Sequence, residues 1–312
     1  MSILLLTRPQ PPELFTPLLR DALPEVEVLE SAEAVIDNER DRVAAISAWR
    51  LKAGTGARYP NLKLVCATAA GVEKLIDDPS LHDEVAVMRI ADPMVNLGIA
   101  QYVLLMALRH ARSLPLYVEQ QQRHEWTRHR AVDPYAMTVG ILGLGAAGQA
   151  CARLLHAAGF DVVGWSRTAR LLAGVESYAG LEQLDACLAR SDVLVCTLPL
   201  TDATRDLLDR RHFAQLRRGA YLINVARGAH VVEADLVAAI DAGHLSGAAL
   251  DVQQTEPLPA DSPLWDHPRI VVTPHIAAQA SVATVVDQFV ANWRRMQAGE
   301  PMANVIDRSL GY

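Results

Sequence analysis

Residues 138 to 167, TVGILGLGAAGQACARLLHAAGFDVVGWSR, pass from an apolar run through a glycine turn into a helical pattern and back to a second apolar run. Strand, turn, helix and strand in this order describe a βαβ unit, because parallel neighbours need a crossover connection. Gly143, Gly145 and Gly148 stand at GxGxxG spacing where the helix opens. Gly143 permits the tight turn, Gly145 leaves room for a phosphate against the backbone, and Gly148 lets the helix lie close to the strand. The first-turn amides of Ala146, Ala147 and Gly148 have no intrahelical acceptor, and the helix dipole adds partial positive charge there. The stretch reads as a pyrophosphate cradle.

The end of the second strand selects the dinucleotide. Sites for NAD place an Asp or Glu there for the ribose 2′-hydroxyl, whereas NADP sites use an Arg for the 2′-phosphate. Here the chain reads Trp165-Ser166-Arg167-Thr168. A guanidinium and two hydroxyls replace the carboxylate, so NADP(H) is expected, with NAD(H) possible. A solvated loop residue is the plain alternative for Arg167.

A chain of 312 residues is long enough for two domains with cores of their own. Its net charge of −7, with no dense basic run, argues against nucleic acid as a partner. The start, MSILLLTRPQ, is too short in apolar residues for a signal peptide and lacks a basic leader, and no run reaches membrane-span length. A cytoplasmic enzyme is the expectation. Cys66, Cys151, Cys187 and Cys196 are widely spaced, so buried thiols are expected and a metal site is not.

Before the glycine turn, short apolar strands alternate with helices, which implies a parallel sheet covered on both faces. Ligands of such sheets lie beyond the carboxyl ends of the strands. There the sequence offers Trp49 and, in a small glycine-containing loop, Ala70, Gly71 and Val72, whose amides can approach a carboxylate closely. A packed aromatic and an ordinary strand-to-helix turn are the alternatives. Residues 97–122 form one long helical pattern, expected to kink at Pro115. Its apolar positions extend around much of the helix, so it can both connect domains and meet a second copy. Residues 123–134 read as a surface arm carrying Trp126 and Arg130.

Three later loops follow strands of the same sheet: Asn224 to Gly228, Asp251 to Pro257, and Pro274 to Ala277. They bring Arg227, Glu256 and His275 to one edge. A salt bridge, an exposed loop and a satisfied buried histidine explain each singly; together a catalytic set is the stronger reading. Arg227 can hold a carboxylate and a carbonyl oxygen by a forked contact. His275 can donate a proton near neutral pH, and Glu256, bonded to the other ring nitrogen, would orient the imidazole and favour its charged form. Asp251 can tune this site or cap its loop. A helical pattern, Ser281 to Ala298, follows the last strand, Ile270 to Thr273, and its return toward the first domain would make that domain discontinuous.

The order GLGAAG, WSRT, LPLT, NVARG, LDVQQTEPLP and TPHIAA resembles the D-isomer-specific 2-hydroxyacid dehydrogenase family along essentially the whole chain. HVVEADL, EPLPADSPLWDHPRI and the terminal Gly311-Tyr312 are most like its bacterial A-type glyoxylate/hydroxypyruvate reductases. The resemblance implies an α/β fold of two doubly wound parallel-sheet domains. The Rossmann cofactor domain, 99–275, is inserted in a flavodoxin-like substrate domain, 1–98 and 276–312. It also implies NADPH-dependent reduction of small 2-keto acids, glyoxylate and hydroxypyruvate, with Arg227, Glu256 and His275 catalytic. Leu198, Pro199, Ala226, Asp251 and Ala277 are expected on the cofactor side, and Trp49, Ala70, Gly71 and Val72 on the substrate side. A homodimer through the cofactor domain, helix 99–122, is implied too. Two alternatives stand beside this: an NAD-preferring dehydrogenase of a bulkier keto acid, and a nucleotide-binding interaction protein, since a relative of this fold is a transcriptional corepressor.

Overall fold

A computed structural model describes residues 1–69, 71–129 and 136–308. The chain divides into two compact units, Met1–Pro93 with Gln279–Tyr312, and Met94–Ala278. The divisions fall at 93/94 and 278/279, where the sequence reading drew them at 98/99 and 275/276. The connecting helix opens at Pro93, a residue suited to a first helical turn, ahead of the apolar periodicity at Leu97.

The first unit holds β1 (Ser2–Leu6), β2 (Glu27–Leu29), β3 (Val43–Ala48), β4 (Leu64–Ala67) and β5 (Ala86–Met88) in the order β2-β1-β3-β4-β5, all parallel. Every residue of β3 and β4 is buried, as expected for strands covered on both faces. Leu4, Ile46, Val65 and Val87 form the core with Tyr59 and Leu75. Helices α1 (Thr16–Ala22), α2 (Thr55–Arg58) and α3 (Glu73–Ile76) follow the strands, and the helix Val282–Ala298 belongs to the same unit. α1 is preceded by a separate 3-10 turn, Pro12–Leu14. The three-residue β5 was too short to be read from sequence.

The second unit holds β6 (Thr138–Leu142), β7 (Asp161–Ser166), β8 (Glu176–Ala179), β9 (Val193–Cys196), β10 (Ala220–Asn224), β11 (Leu245–Leu250) and β12 (Ile270–Val272). All pair in parallel, in the order β12-β11-β10-β9-β6-β7-β8. The chain reverses direction of winding between β6 and β9, the switch point at which doubly wound sheets bind ligands. The long helical pattern is two helices, α4 (Pro93–Ala111) and α5 (Leu114–Gln122). The break is at Ser113, whose φ is 50°, and Pro115 is tolerated in the first turn of α5 where its missing N–H costs no hydrogen bond. Helices α6 (Ala146–Ala157), α7 (Leu184–Arg190), α8 (Arg210–Gln215) and α9 (Glu233–Asp241) complete the layers. All four cysteines are buried free thiols, and burial pushes Cys151, Cys187 and Cys196 each up to about 12. Among the described residues no helix is long and apolar enough to cross a membrane.

Candidate active site

The glycine turn lies between β6 and α6 and is tied to both neighbouring strands. Gly143 N donates to Trp165 O at 2.8 Å, and Thr197 Oγ1 donates to Gly143 O at 2.7 Å. The three glycines have three physical reasons. Gly143 has a φ of 97°, which side chains rarely adopt. A Cβ on Gly148 would lie 1.8 Å from Gly143 O, so only glycine lets α6 pack this close. A Cβ on Gly145 would meet nothing within 4 Å. That exposed N-cap of α6 is an open cradle, and its size and amide donors fit a pyrophosphate. At the tip of β7, Ser166 is buried and its Oγ donates to Thr168 O at 2.8 Å, while Arg167 and Thr168 are exposed. Arg170, equally exposed, adds a second cation that the sequence reading passed over.

Three loops reach the same edge because β10, β11 and β12 follow β9 as successive parallel strands of the sheet. Asn224, wholly buried, shapes the first: its Nδ2 donates to Arg227 O at 2.9 Å and its Oδ1 accepts Ala226 N at 3.1 Å. Arg227 is half-buried, with Nη1 donating to Ala226 O at 2.7 Å. A Cβ on Gly228 would lie 1.9 Å from the carbonyl carbon of Gln253, so this loop packs backbone to backbone against the next. In that second loop Gln253 is buried, its Nε2 donates to Leu250 O at 2.9 Å, and its amide faces Glu256 Oε1 at 3.4 Å. His275 Nδ1 lies 3.2 Å from both carboxylate oxygens of Glu256. Both side chains are partly open to solvent, His275 at 28% and Glu256 at 20%.

Of the two readings of Asp251, the geometry supplies the loop cap. Its carboxylate is 1% exposed and takes Thr273 Oγ1 at 2.6 Å, Ile276 N at 2.8 Å and Ala277 N at 2.8 Å. Tyr102 of α4 stands behind, its hydroxyl 2.7 Å from Thr273 Oγ1. With the Thr273 proton given to Asp251, Tyr102 is the donor in that contact. Burial first, and the Asp251 charge with it, push the Tyr102 phenol above its ordinary range. Asn224, Gln253, Thr273 and Tyr102 went unnoticed in sequence, since nothing local marks a residue whose partner is distant.

On the cofactor side Leu198, Ala226 and Ala277 are buried and Pro199 is exposed. In the first unit Trp49 is half-buried with Lys74 Nζ 5.3 Å from its ring centroid, and Leu51 N donates to Lys74 O at 3.0 Å. Trp49 therefore stands against α3, the helix that Val72 caps after Gly71. Ala70, Arg130, Gly311 and Tyr312 lie outside the described residues. Among the described residues no three His, Cys, Asp or Glu side chains group as metal ligands.

A glycine cradle at the switch point of a parallel sheet, with a His–Glu pair and an arginine on the same strand ends, defines a dinucleotide-dependent oxidoreductase. Residues 104–277 match the D-isomer specific 2-hydroxyacid dehydrogenase, NAD binding domain. Glyoxylate/hydroxypyruvate reductase A of Serratia proteamaculans (strain 568) is 41% identical over 272 residues, 85% of this chain and 86% of that protein. The D-isomer specific 2-hydroxyacid dehydrogenase of Xanthobacter autotrophicus Py2, solved with NADPH and MES, is 40% identical with a TM-score of 0.90, covering 100% of this chain and 99% of that one. The NADPH-dependent glyoxylate/hydroxypyruvate reductase of Sinorhizobium meliloti, solved with NADP and sulfate, is 35% identical with a TM-score of 0.91 over 100% of both chains. The chain belongs to the D-isomer specific 2-hydroxyacid dehydrogenase family.

Proposed function

We propose that the protein is an NADPH-preferring reductase of small 2-keto acids, with glyoxylate and hydroxypyruvate as substrates. The observation that carries this reading is the His275–Glu256 pair, 3.2 Å apart on strand ends shared with Arg227. The names of the relatives support the substrate class. The exposed Arg167 and Arg170, beside a β7 tip without a carboxylate, support the choice of NADPH, as do the cofactors bound in the two similar structures.

The nicotinamide, when bound, supplies the hydride. Gly143, Gly145 and the amides of Ala146, Ala147 and Gly148 would hold the pyrophosphate, and Leu198, Pro199, Ala226 and Ala277 would lie on the cofactor side. Arg227 receives the keto acid and draws electron density toward its carbonyl oxygen. His275 keeps its Nδ1 proton on Glu256 and gives the Nε2 proton to that oxygen as negative charge develops, ending as neutral imidazole. Glu256 accepts at Nδ1 through both carboxylate oxygens and fixes the ring plane. The amides of Gly71 and Val72, with Trp49, are the proposed substrate contacts of the first unit. We further propose a homodimer through α4 and α5, where Leu105 is 58% exposed and Leu114 and Val118 are also exposed, beside Trp126 at 93%.

The test is His275→Ala assayed with glyoxylate and hydroxypyruvate. Turnover is lost by a factor of about 10² to 10⁴ while NADPH binding persists. Undiminished turnover would remove His275 from the reaction.

A further inference from the structure

The stretch HVVEADL begins with a histidine that the reaction above does not use. His230 ends the 3-10 turn Gly228–His230 and is wholly buried. Both ring nitrogens meet backbone. Nδ1 lies 3.2 Å from Arg227 N and 3.0 Å from Arg227 O, and Nε2 lies 3.2 Å from Pro199 O.

These partners define the proton. Pro199 O can only accept, so Nε2 carries hydrogen. The Arg227 N–H is directed at Nδ1, which must present a lone pair to receive it. Arg227 O already accepts from Asn224 Nδ2 at 2.9 Å and from His230 N at 3.2 Å, so it does not require a third donor. The ring therefore spans two loops. Pro199 belongs to the loop after β9 and Arg227 to the loop after β10, and these strands are paired, with Cys196 opposite Asn224. The backbone of His230 joins the same network, its carbonyl accepting Leu208 N at 2.8 Å.

We propose that His230 is a positioning residue, a neutral Nε2–H imidazole that keys the loop of Arg227 to the cofactor-side loop of Leu198 and Pro199. The inference rests on the reading that Arg227 receives the keto acid and that Pro199 lies beside NADPH. Through Arg227 N, His230 sets the backbone from which the guanidinium extends. Through Pro199 O, it sets the height of the cofactor-side loop. A substitution that breaks one bond should disturb one ligand more than the other.

Three variants separate the two bonds. His230→Asn keeps an acceptor at the Nδ1 position and loses the donor to Pro199, so KM for NADPH rises about five- to tenfold while KM for glyoxylate stays within about twofold. His230→Gln keeps a donor at the Nε2 position and gives the reverse pattern. His230→Leu raises both constants. Nitrogen-15 NMR on the wild-type protein, assigned by the signal lost in His230→Asn, shows a protonated Nε2 and an unprotonated Nδ1 near neutral pH. An Nδ1–H tautomer or an imidazolium overturns the proposal, as do equal effects of Asn and Gln on both constants, or unchanged constants in His230→Leu with only a lower thermal midpoint. Arg227→Ala separates the role of Arg227 from that of His230. If it leaves KM for glyoxylate unchanged, the reading of Arg227 fails, while the tautomer stands or falls by NMR.

Discussion

Asp251 holds the His275 loop by accepting three backbone amides: its carbonyl takes that of His275, and its two carboxylate oxygens take those of Ile276 and Ala277, all at 2.8 Å. His275 itself has a φ of 56°, a left-handed conformation that a non-glycine residue keeps only when its surroundings hold it. Asp251→Asn turns an N–H toward one of those amides. Steady-state kinetics should show kcat for glyoxylate reduced about 10²-fold, with NADPH affinity by fluorescence titration little changed. Thr273→Val, which removes one of the three donors to the Asp251 carboxylate, should do less. A larger loss in Thr273→Val than in Asp251→Asn would contradict this hierarchy.

The glycine turn gives opposite outcomes for two neighbouring alanines. Gly145→Ala meets no protein atom, so the thermal midpoint holds while NADPH binding weakens by at least about tenfold, since the methyl occupies the cradle. Gly148→Ala drives its methyl to 1.8 Å from Gly143 O and lowers the midpoint. Equal melting of the two, followed by calorimetry, would refute the separate tasks assigned to these residues.

Cofactor choice is tested at the β7 tip. Arg167→Ala should raise KM for NADPH about tenfold or more and leave KM for NADH within about twofold, because only NADPH carries the 2′-phosphate. Parallel losses with both cofactors would mean that Arg167 acts on the loop and not on that phosphate.

His110 makes the fold sensitive to mild acid. It stacks on Tyr221 with ring centroids 4.7 Å apart, and burial lowers its pKa to about 4, with Asp192 opposing and Arg109 adding to the shift. The unfolded chain, with an ordinary histidine pKa near about 6.5, binds the proton that the folded protein refuses. Stability is therefore lost as pH falls from about 6.5 toward about 4 and is unaffected above that window. His110→Phe keeps an aromatic stack and removes the proton, so its thermal midpoint should fall less than that of the wild type between these limits. Identical acid profiles would exclude His110 as the source.

Much of the second unit is legible in sequence, because its signals are local. Strands β6, β7, β9 and β10 are predominantly apolar, and the glycine spacing carries its own steric logic. What escaped is short or bent. β8 has one exposed and three half-buried residues at the sheet edge, and the turn at Ser113 carries no glycine or proline of its own. Arg227, Glu256 and His275 were visible because each lies in a loop that follows a strand. Their supporting residues were not.

By itself the sequence determined the parallel α/β architecture, the glycine turn, the missing carboxylate after β7 and the edge on which Arg227, Glu256 and His275 fall. These follow from periodicity and spacing over short stretches of chain. Only the tertiary structure decided that Asp251 caps the His275 loop, that Gly228 admits the Gln253 backbone, and that His230 joins Arg227 to Pro199. Each of those depends on a contact between segments far apart in sequence, where the hydrogen bond or the available space exists only after the strands have aligned.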